Sequence, residues 1–208
     1  AVWNQTDNFN INVTAGTKFL RNFTFKVSGS ADILNRRYTK MYNNKFGDAA
    51  NVGGRGSVKA LRIESLTFNQ ILNFNKELGL HNVSAMVGHE SYRYVEKSVF
   101  AQRTGFPLEM SNDLVFGAQL EDGSSQTDEH AIEGWFGQVG YDYANRYYIS
   151  GSYRRDGSSR FYKDSRWGDF WSVGASWRIS QEAFMKNAKW MDNLKLKVSY
   201  GVQGNDNI

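Results

Sequence analysis

The chain has 208 residues, of which 40% are hydrophobic and 22% charged, a composition typical of a folded protein and not of a disordered one. Cysteine is absent, which excludes disulfides, thiolate metal sites and cysteine nucleophiles. No apolar run approaches the length of about 18 residues that a transmembrane helix needs. The net charge is only +4, and basic residues occur singly or in pairs such as Arg36-Arg37, so nucleic acid is not an expected partner.

Glycine is frequent, with 20 residues, aromatics make up 15%, and proline occurs once, which favours extended strands joined by turns. Apolar and polar residues alternate with a period of two in eight segments, and helical periodicity is nearly missing. We therefore predict an all-β, antiparallel fold. The predicted strands cover residues 8–19, 23–33, 59–74, 82–90, 135–143, 147–154, 171–178 and 194–203.

Short and long connections alternate along this series of strands. Short turns are predicted at residues 20–22, 75–80 and 144–145, and long polar loops at residues 35–57, 92–130 and 156–167. Residues 180–193 connect two strands where the alternation calls for a short turn, but this connection is longer than the other short turns. Residues 181–189 within it could form one or two helical turns. Tight turns at one end and long loops at the other are typical of an outer-membrane β-barrel.

Aromatic side chains lie near both ends of the predicted strands. Tyr143 and Tyr147 flank a short turn and Trp177 ends its strand on the same side, whereas Trp135 and Trp171 lie near the long loops. Amphipathic rings at both ends of an apolar band are typical of membrane interfaces. We predict that these five residues are membrane-interface aromatics in a transmembrane β-barrel segment.

The last third of the chain resembles the TonB-dependent outer-membrane transporters of the SusC/RagA type. The resemblance rests on four linked motifs: YRRDGSSRF at residues 153–161, WGDFWSVGASWRIS at 167–180, EAFM at 182–185 and LKLKVSYGVQGN at 194–205. It is strong from about Trp135 onward and diffuse before. Trp171 stands where the family commonly has proline and Gln203 where it commonly has threonine, and neither change disturbs the alternation.

The resemblance implies a barrel of about 22 strands with an N-terminal plug. Residues 1–208 would be part of this one barrel domain, incomplete at both ends, with about eight strands and no plug. The beginning, Ala1-Val2-Trp3-Asn4, has neither an initiator Met nor a signal region, and residues 204–208 read as an interrupted loop, so we expect a processed or truncated product.

The resemblance also implies a function and partners. The expected function is import of oligosaccharides or peptides across the outer membrane, without an enzymatic activity or a cofactor. The expected partners are a SusD-type lipoprotein that covers the extracellular mouth, TonB acting through a segment that this sequence lacks, and outer-membrane lipid.

Candidate contact residues lie where the sixth predicted strand runs into a loop. Arg154, Asp156 and Arg160 could touch solute or the covering lipoprotein at the lumen or mouth of the barrel. The alternative is an intramolecular salt-bridge cluster that orders the base of the loop, because turn chemistry alone accounts for the Asp-Gly-Ser-Ser sequence.

Other clusters do not predict a metal or catalytic site. His81 and His89 lie eight residues apart on one strand, about 26 Å, which is too far to share a metal. The acidic residues between 121 and 129 lack the spacing of a calcium loop, and the glycine-rich residues 53–57 lack the strand and helix that flank a phosphate loop. We interpret these two segments as a solvated acidic loop and a flexible loop.

Two other functions stay open on the residues alone. One is a complete eight-stranded outer-membrane barrel with a structural or adhesion role, although its lumen would be lined by residues too small to fill it, such as Ser172, Gly174 and Ser176. The other is a secreted carbohydrate-binding β-domain, which would bury one face of its sheet.

Overall fold

The computed structural model describes residues 1–107, 113–186 and 190–204. It is all-β, with eight strands in one sheet in the sequential order β1 to β8, and β1 and β8 lie at its two edges. The strands are β1 Val2–Phe19, β2 Phe23–Tyr42, β3 Arg55–Leu78, β4 His81–Thr104, β5 Gln119–Tyr143, β6 Tyr147–Ser158, β7 Trp167–Arg178 and β8 Lys195–Val202. The predicted number and order of the strands are confirmed.

The first seven strands are longer than predicted, so the predicted long loops are wrong in extent. Residues 35–42 belong to β2, residues 92–104 to β4 and residues 119–130 to β5. The loop predicted at residues 156–167 shrinks to 159–166. Alternation identifies a strand only where one face is apolar, and these extensions have polar residues on both faces.

The predicted acidic loop and the predicted flexible loop are therefore largely parts of strands. The acidic residues between 121 and 129 lie in strand β5 and do not form a loop. In the glycine-rich segment only Gly53 and Gly54 lie outside a strand, both with positive φ (68° and 90°), and β3 begins at Arg55. The predicted turn at residues 75–80 also contracts, because β3 continues to Leu78.

The predicted turn between the fifth and sixth strands is a tight hairpin. Ala144 and Asn145 both have positive φ, 53° and 55°, and the Arg146 amide donates to the Tyr143 carbonyl at 2.9 Å. Positive φ at both central positions defines a type I′ turn, whose twist matches that of the paired strands. The short connection thus holds β5 and β6 in a fixed register.

The described residues group into two compact units. The first contains residues 1–12, 30–66 and 93–130, and the second contains residues 13–29, 67–92 and 131–208. The segment after β7 forms two three-residue 3-10 helices, Ile179–Gln181 and Ala183–Met185. Residues 187–189 of the predicted helical segment, and residues 205–208 of the predicted interrupted loop, lie outside the described residues.

None of the helices among the described residues is long and apolar enough to cross a membrane.

The register of β5 to β8 gives the second unit two distinct faces. One row of neighbours across the strands is Val139, Gly151, Val173 and Tyr200, and the next is Tyr141, Ile149, Ala175 and Val198. We call the face with these two rows the apolar face. The rows between and beside them are Gln138, Ser152, Ser172 and Gly201, and Gly140, Ser150, Gly174 and Ser199, which define the serine-glycine face.

Candidate functional site

A groove of about 600 Å³ lies in the second unit, where the strands run toward residues 159–166. Its lining contains side chains that follow the parity of the serine-glycine face, including Glu90, Arg154 and Phe170. The connection after β6 closes one side through Phe161 and Arg166. The groove therefore combines charged and aromatic groups.

Arg154 is the most heavily bonded cation of this groove. Its Nε donates to both carboxylate oxygens of Asp156 at 2.7 Å, and its Nη2 donates to Glu90 Oε1 at 2.8 Å. The guanidinium also lies 5.3 Å from the centroid of the Phe136 ring. Two carboxylates and a ring face therefore fix one guanidinium on the groove wall.

Glycines make room for this arrangement. A Cβ at Gly134 would lie 2.7 Å from Arg154 Nη2 and would collide with the Asp156 carboxylate. A Cβ at Gly88 would overlap the Phe136 ring. Small residues on the serine-glycine face are thus required by the large side chains of neighbouring strands.

The three predicted contact residues are brought together only in part. Arg154 and Asp156 form an ion pair, as the salt-bridge alternative requires, with Glu90 as an additional member. Arg160 lies two residues after the end of β6, where its amide donates to Ser158 Oγ at 3.4 Å, and it does not line the groove. Contact between these residues and solute stays a prediction.

Three of the predicted interface aromatics form a row at the turn end of the strands. Tyr143, Tyr147 and Trp177 are neighbours in the register, and consecutive ring centroids are 6.5 Å apart. The His81 ring lies 4.9 Å from that of Tyr143 and extends the row to β4. Such a row presents a continuous aromatic edge on the apolar face.

Glu182 joins this row from the segment between the two 3-10 helices. Its Oε1 accepts from the Tyr147 hydroxyl at 2.6 Å and from the Trp177 indole at 3.0 Å, and Arg146 lies 3.7 Å from Oε2. These hydrogen bonds, that of Tyr147 foremost, and the Arg146 charge lower the pKa of the Glu182 carboxyl from its ordinary value of 4.5. The two hydrogen bonds to the Glu182 carboxylate hold the segment with the 3-10 helices against the aromatic row.

The other two predicted aromatics lie toward the opposite end of the strands. The Trp171 ring is 5.8 Å from that of Tyr200, and the Trp135 ring is 4.3 Å from that of His89. Trp135 and Tyr143 are eight residues apart on β5, about 26 Å along the strand. On a strand tilted by about 40° this separation spans roughly 20 Å of membrane height, somewhat less than an apolar band of about 25 Å.

The two histidines occupy separate environments, as predicted from their spacing. His81 Nδ1 lies 2.7 Å from the Tyr141 hydroxyl, and His89 Nε2 lies 3.2 Å from Glu133 Oε1. Across the described ranges, no group of three or more His, Asp or Glu side chains is placed to hold a metal ion.

The sequence did not predict an ion pair between Arg55 and Glu121 in the first unit, because Glu121 is predicted in a loop and lies in strand β5. Arg55 donates from Nε and Nη2 to the two carboxylate oxygens of Glu121 at 2.7 and 2.6 Å, and Gln102 donates to the same carboxylate at 2.9 Å. The hydrogen bonds from Arg55 lower the pKa of the Glu121 carboxyl. This bidentate pair joins β3 to β5 outside the apolar band.

Comparison with known proteins identifies relatives along nearly the whole chain, although no protein-family model matches it. TonB-dependent receptor P3 of Formosa agariphila is 29% identical over 206 residues, which are 98% of this chain and 21% of that protein. TonB-dependent receptor SusC of Bacteroides thetaiotaomicron is 31% identical over 144 residues, 69% of this chain and 14% of that protein. The solved structure of the RagAB peptide transporter matches with a TM-score of 0.91 at 27% identity, over 100% of this chain and 24% of that chain.

The chain belongs to the SusC/RagA-type TonB-dependent receptors. The matched part covers 14–21% of the length of these two curated relatives. Its open eight-stranded sheet matches part of the RagA barrel. The family consists of outer-membrane transport proteins and not of enzymes, which confirms the predicted class and location.

Proposed function

We propose that the chain supplies wall strands to an outer-membrane importer that takes up oligosaccharides or peptides. The observation that carries this proposal is the register of β5 to β8, which puts branched and aromatic residues on one face and serine and glycine on the other. A barrel wall between lipid and a water-filled or plugged lumen requires this division. The serine-glycine face is the lumen side in this proposal.

The groove around Arg154 and Asp156 is the proposed solute contact, with Arg160 at the mouth beyond it. Its charged groups suit peptide termini and side chains, whereas Trp167 and Phe170 offer ring faces on which sugars stack. The related RagAB is a peptide transporter. Peptides and oligosaccharides are therefore the two solute classes to compare.

The proposal includes the partners that membership of this family suggests. A SusD-type lipoprotein would cover the extracellular mouth, and TonB would supply energy through a segment elsewhere in the receptor. The five interface aromatics, Trp135, Tyr143, Tyr147, Trp171 and Trp177, would contact outer-membrane lipid.

The solute contact is tested by replacing Arg154 in the full-length receptor, expressed together with its lipoprotein. Arg154→Gln should lower uptake of one solute class by roughly tenfold, because a charge-assisted hydrogen bond is lost. Arg155→Gln is the matched control, since Arg155 lies on the other face of the same strand, 3.8 Å from Asp169. Equal uptake by both variants, at equal amounts in the outer membrane, would leave Arg154 with a structural role alone.

The orientation is tested by cysteine labelling of intact cells. The proposal places the end of the strands near Ser124 outside and the turn at Asn145 in the periplasm. A Ser124→Cys variant of the full-length receptor should react with an impermeant maleimide, and an Asn145→Cys variant should not. Labelling of Asn145→Cys alone would reverse the topology.

The two alternative functions lose support. In the described sheet β1 pairs with β2 and β8 with β7, so the eight strands do not close on themselves as a small complete barrel requires. A secreted β-domain would bury one sheet face, but Val139, Val173 and Val198 are 53–65% exposed. Family membership favours the importer over both.

A further inference from the structure

We propose that the first unit carries a binding site for the phosphate groups of an outer-leaflet glycolipid. The site is a groove of about 420 Å³ on strands β1 to β4, lined by four cationic side chains and one carboxylate. Its charged lining residues are Asp7, Arg36, Arg37, Arg62 and Lys97. The inference goes beyond solute import and rests on the proposed orientation of the barrel.

The groove opens on the side of the unit that carries exposed apolar residues. On β1, Asp7 has the same parity as Phe9 and Ile11, which are 58% and 45% exposed. On β3, Arg62 has the same parity as Leu66, which is 50% exposed. Alternate residues of a strand share a face, so these charged groups follow the apolar side chains on one surface.

The same relation holds on the other two strands. On β4, Lys97 has the parity of Val99, which is 57% exposed. On β2, Arg37 lies on the same face as Asn35, whose amide oxygen accepts from Arg62 Nη1 at 3.3 Å. Three cations from three strands, Arg37, Arg62 and Lys97, therefore share the face that meets lipid in the proposed barrel.

The charges of the groove are only partly neutralised from within. Arg62 pairs with Glu64 at 2.5 Å, and Asp7 accepts from Gln5 at 3.3 Å. Arg37 and Lys97 are exposed, and neither has a hydrogen bond or ion pair within the part of the chain that the structure describes. Two available cations beside a paired arginine suit a phosphate group.

The position of these charged groups along strands β1 to β4 favours a lipid headgroup as the ligand. On β1 and β3, Asp7 and Arg62 lie two and four residues farther toward the proposed outer end than the exposed Phe9 and Leu66. The exposed Trp3 and Val99 lie farther out still on β1 and β4. Charged groups among exposed apolar and aromatic side chains at the outer end of a membrane-spanning strand are typical of the membrane interface. With the long connections outside, this level is the headgroup layer of the outer leaflet. Phosphorylated glycolipids carry their anionic groups there, and each nearby Lys or Arg contributes about 1 kcal/mol to attraction of anionic lipid.

The test is native mass spectrometry of the purified full-length receptor titrated with diphosphorylated lipid A. The wild-type protein should bind, and an Arg37→Gln/Lys97→Gln variant, which loses two cations, should bind roughly 30-fold more weakly. Lys59→Gln is the control on the opposite face, because Lys59 lies on β3 with the parity opposite to that of Arg62. It removes one positive charge, half of the charge that the double variant loses. Heat-modifiable gel mobility shows that each variant is folded.

Two further probes identify the part of the ligand that is recognised. Dephosphorylated lipid A should bind the wild-type receptor as weakly as diphosphorylated lipid A binds the double variant. Inorganic phosphate at millimolar concentration should not displace bound lipid A, and displacement would replace the lipid site with a site for free phosphate.

The proposal is overturned if the double variant binds lipid A like the wild type, or if Lys59→Gln loses as much affinity. Solute uptake separates this failure from failure of the proposed function. The double variant should import at the wild-type rate while losing lipid A, because neither Arg37 nor Lys97 lines the Arg154 groove.

Discussion

The two faces of strands β5 to β8 differ although they alternate residue by residue along the same chain. Val173 on the apolar face is 53% exposed and has Tyr200 and Gly151 as neighbours. Ser172, one residue earlier, donates or accepts a 2.6 Å hydrogen bond with Ser152 and has Gly201 beside it. One face leaves apolar surface uncovered, and the other satisfies its polar groups internally.

This difference shows that the two faces are fitted to different surroundings. Exposed valines and tyrosines gain free energy only against hydrocarbon, whereas serine and glycine fit a surface facing water or a plug. The glycines have a second role, because rings from adjacent strands occupy the space that a Cβ would fill. The comparison predicts that a substitution acts according to its face.

The largest expected loss of stability comes from placing a charged side chain on the apolar face. Val173→Arg should destabilise the full-length barrel by about 2–4 kcal/mol, the cost of a charge on the lipid face at the bilayer midplane. Ser172→Arg should cost far less, since its side chain would reach the lumen. Folding into liposomes, followed by heat-modifiable gel mobility, measures both.

A soluble core would also reject this arginine, so Val173→Leu is the deciding control. In a close-packed core the extra methylene causes strain of about 1–3 kcal/mol. Against lipid it should be neutral or slightly favourable. Destabilisation by leucine, or equal harm from Ser172→Arg, would show that the two faces have been assigned the wrong way round.

The next largest expected loss of stability comes from replacing a glycine on the serine-glycine face. Gly88→Ala should destabilise the receptor by about 1–3 kcal/mol, because the new Cβ overlaps the Phe136 ring and would lie 3.2 Å from the Gln70 carbonyl oxygen. Urea titration of the refolded receptor in detergent measures the loss.

Gly151→Ala is the matched control on the apolar face. Its Cβ would lie 3.8 Å from the nearest atom, Val139 Cγ2, which is an ordinary contact, so this change should be neutral or stabilising. Combining Gly88→Ala with Phe136→Leu should recover part of the loss. Equal losses of stability at Gly88 and Gly151 would contradict the proposed role of the Phe136 ring, because a Cβ at Gly151 would contact no ring.

The sequence was sufficient to predict the faces but not the partners across strands. A period of two assigns Val173 and Ser172 to opposite faces without knowledge of neighbours. Glu90 could not be paired with Arg154, 64 residues away, before the register of three strands was known. The extensions of β2, β4 and β5 were missed because polar residues occupy both faces there, and the Arg55–Glu121 pair was missed with them.

The smallest expected effect lies at the turn end, where Glu182 holds the aromatic edge of the apolar face. Because the folded-state pKa of its carboxyl is lowered, the carboxylate contributes stability that is present above the ordinary pKa of 4.5 and is lost as pH falls through the folded-state value. Glu182→Gln should therefore lower the melting temperature of the full-length receptor at about pH 7, and the difference from wild type should shrink as the pH falls below 4.5. Glu77→Gln, which removes an exposed carboxylate beside the turn at residues 79–80, is the control for the loss of one negative charge. A gap between wild type and Glu182→Gln that persists unchanged in acid would mean that packing of the 3-10 segment, and not the charge of Glu182, stabilises the row of Tyr147 and Trp177.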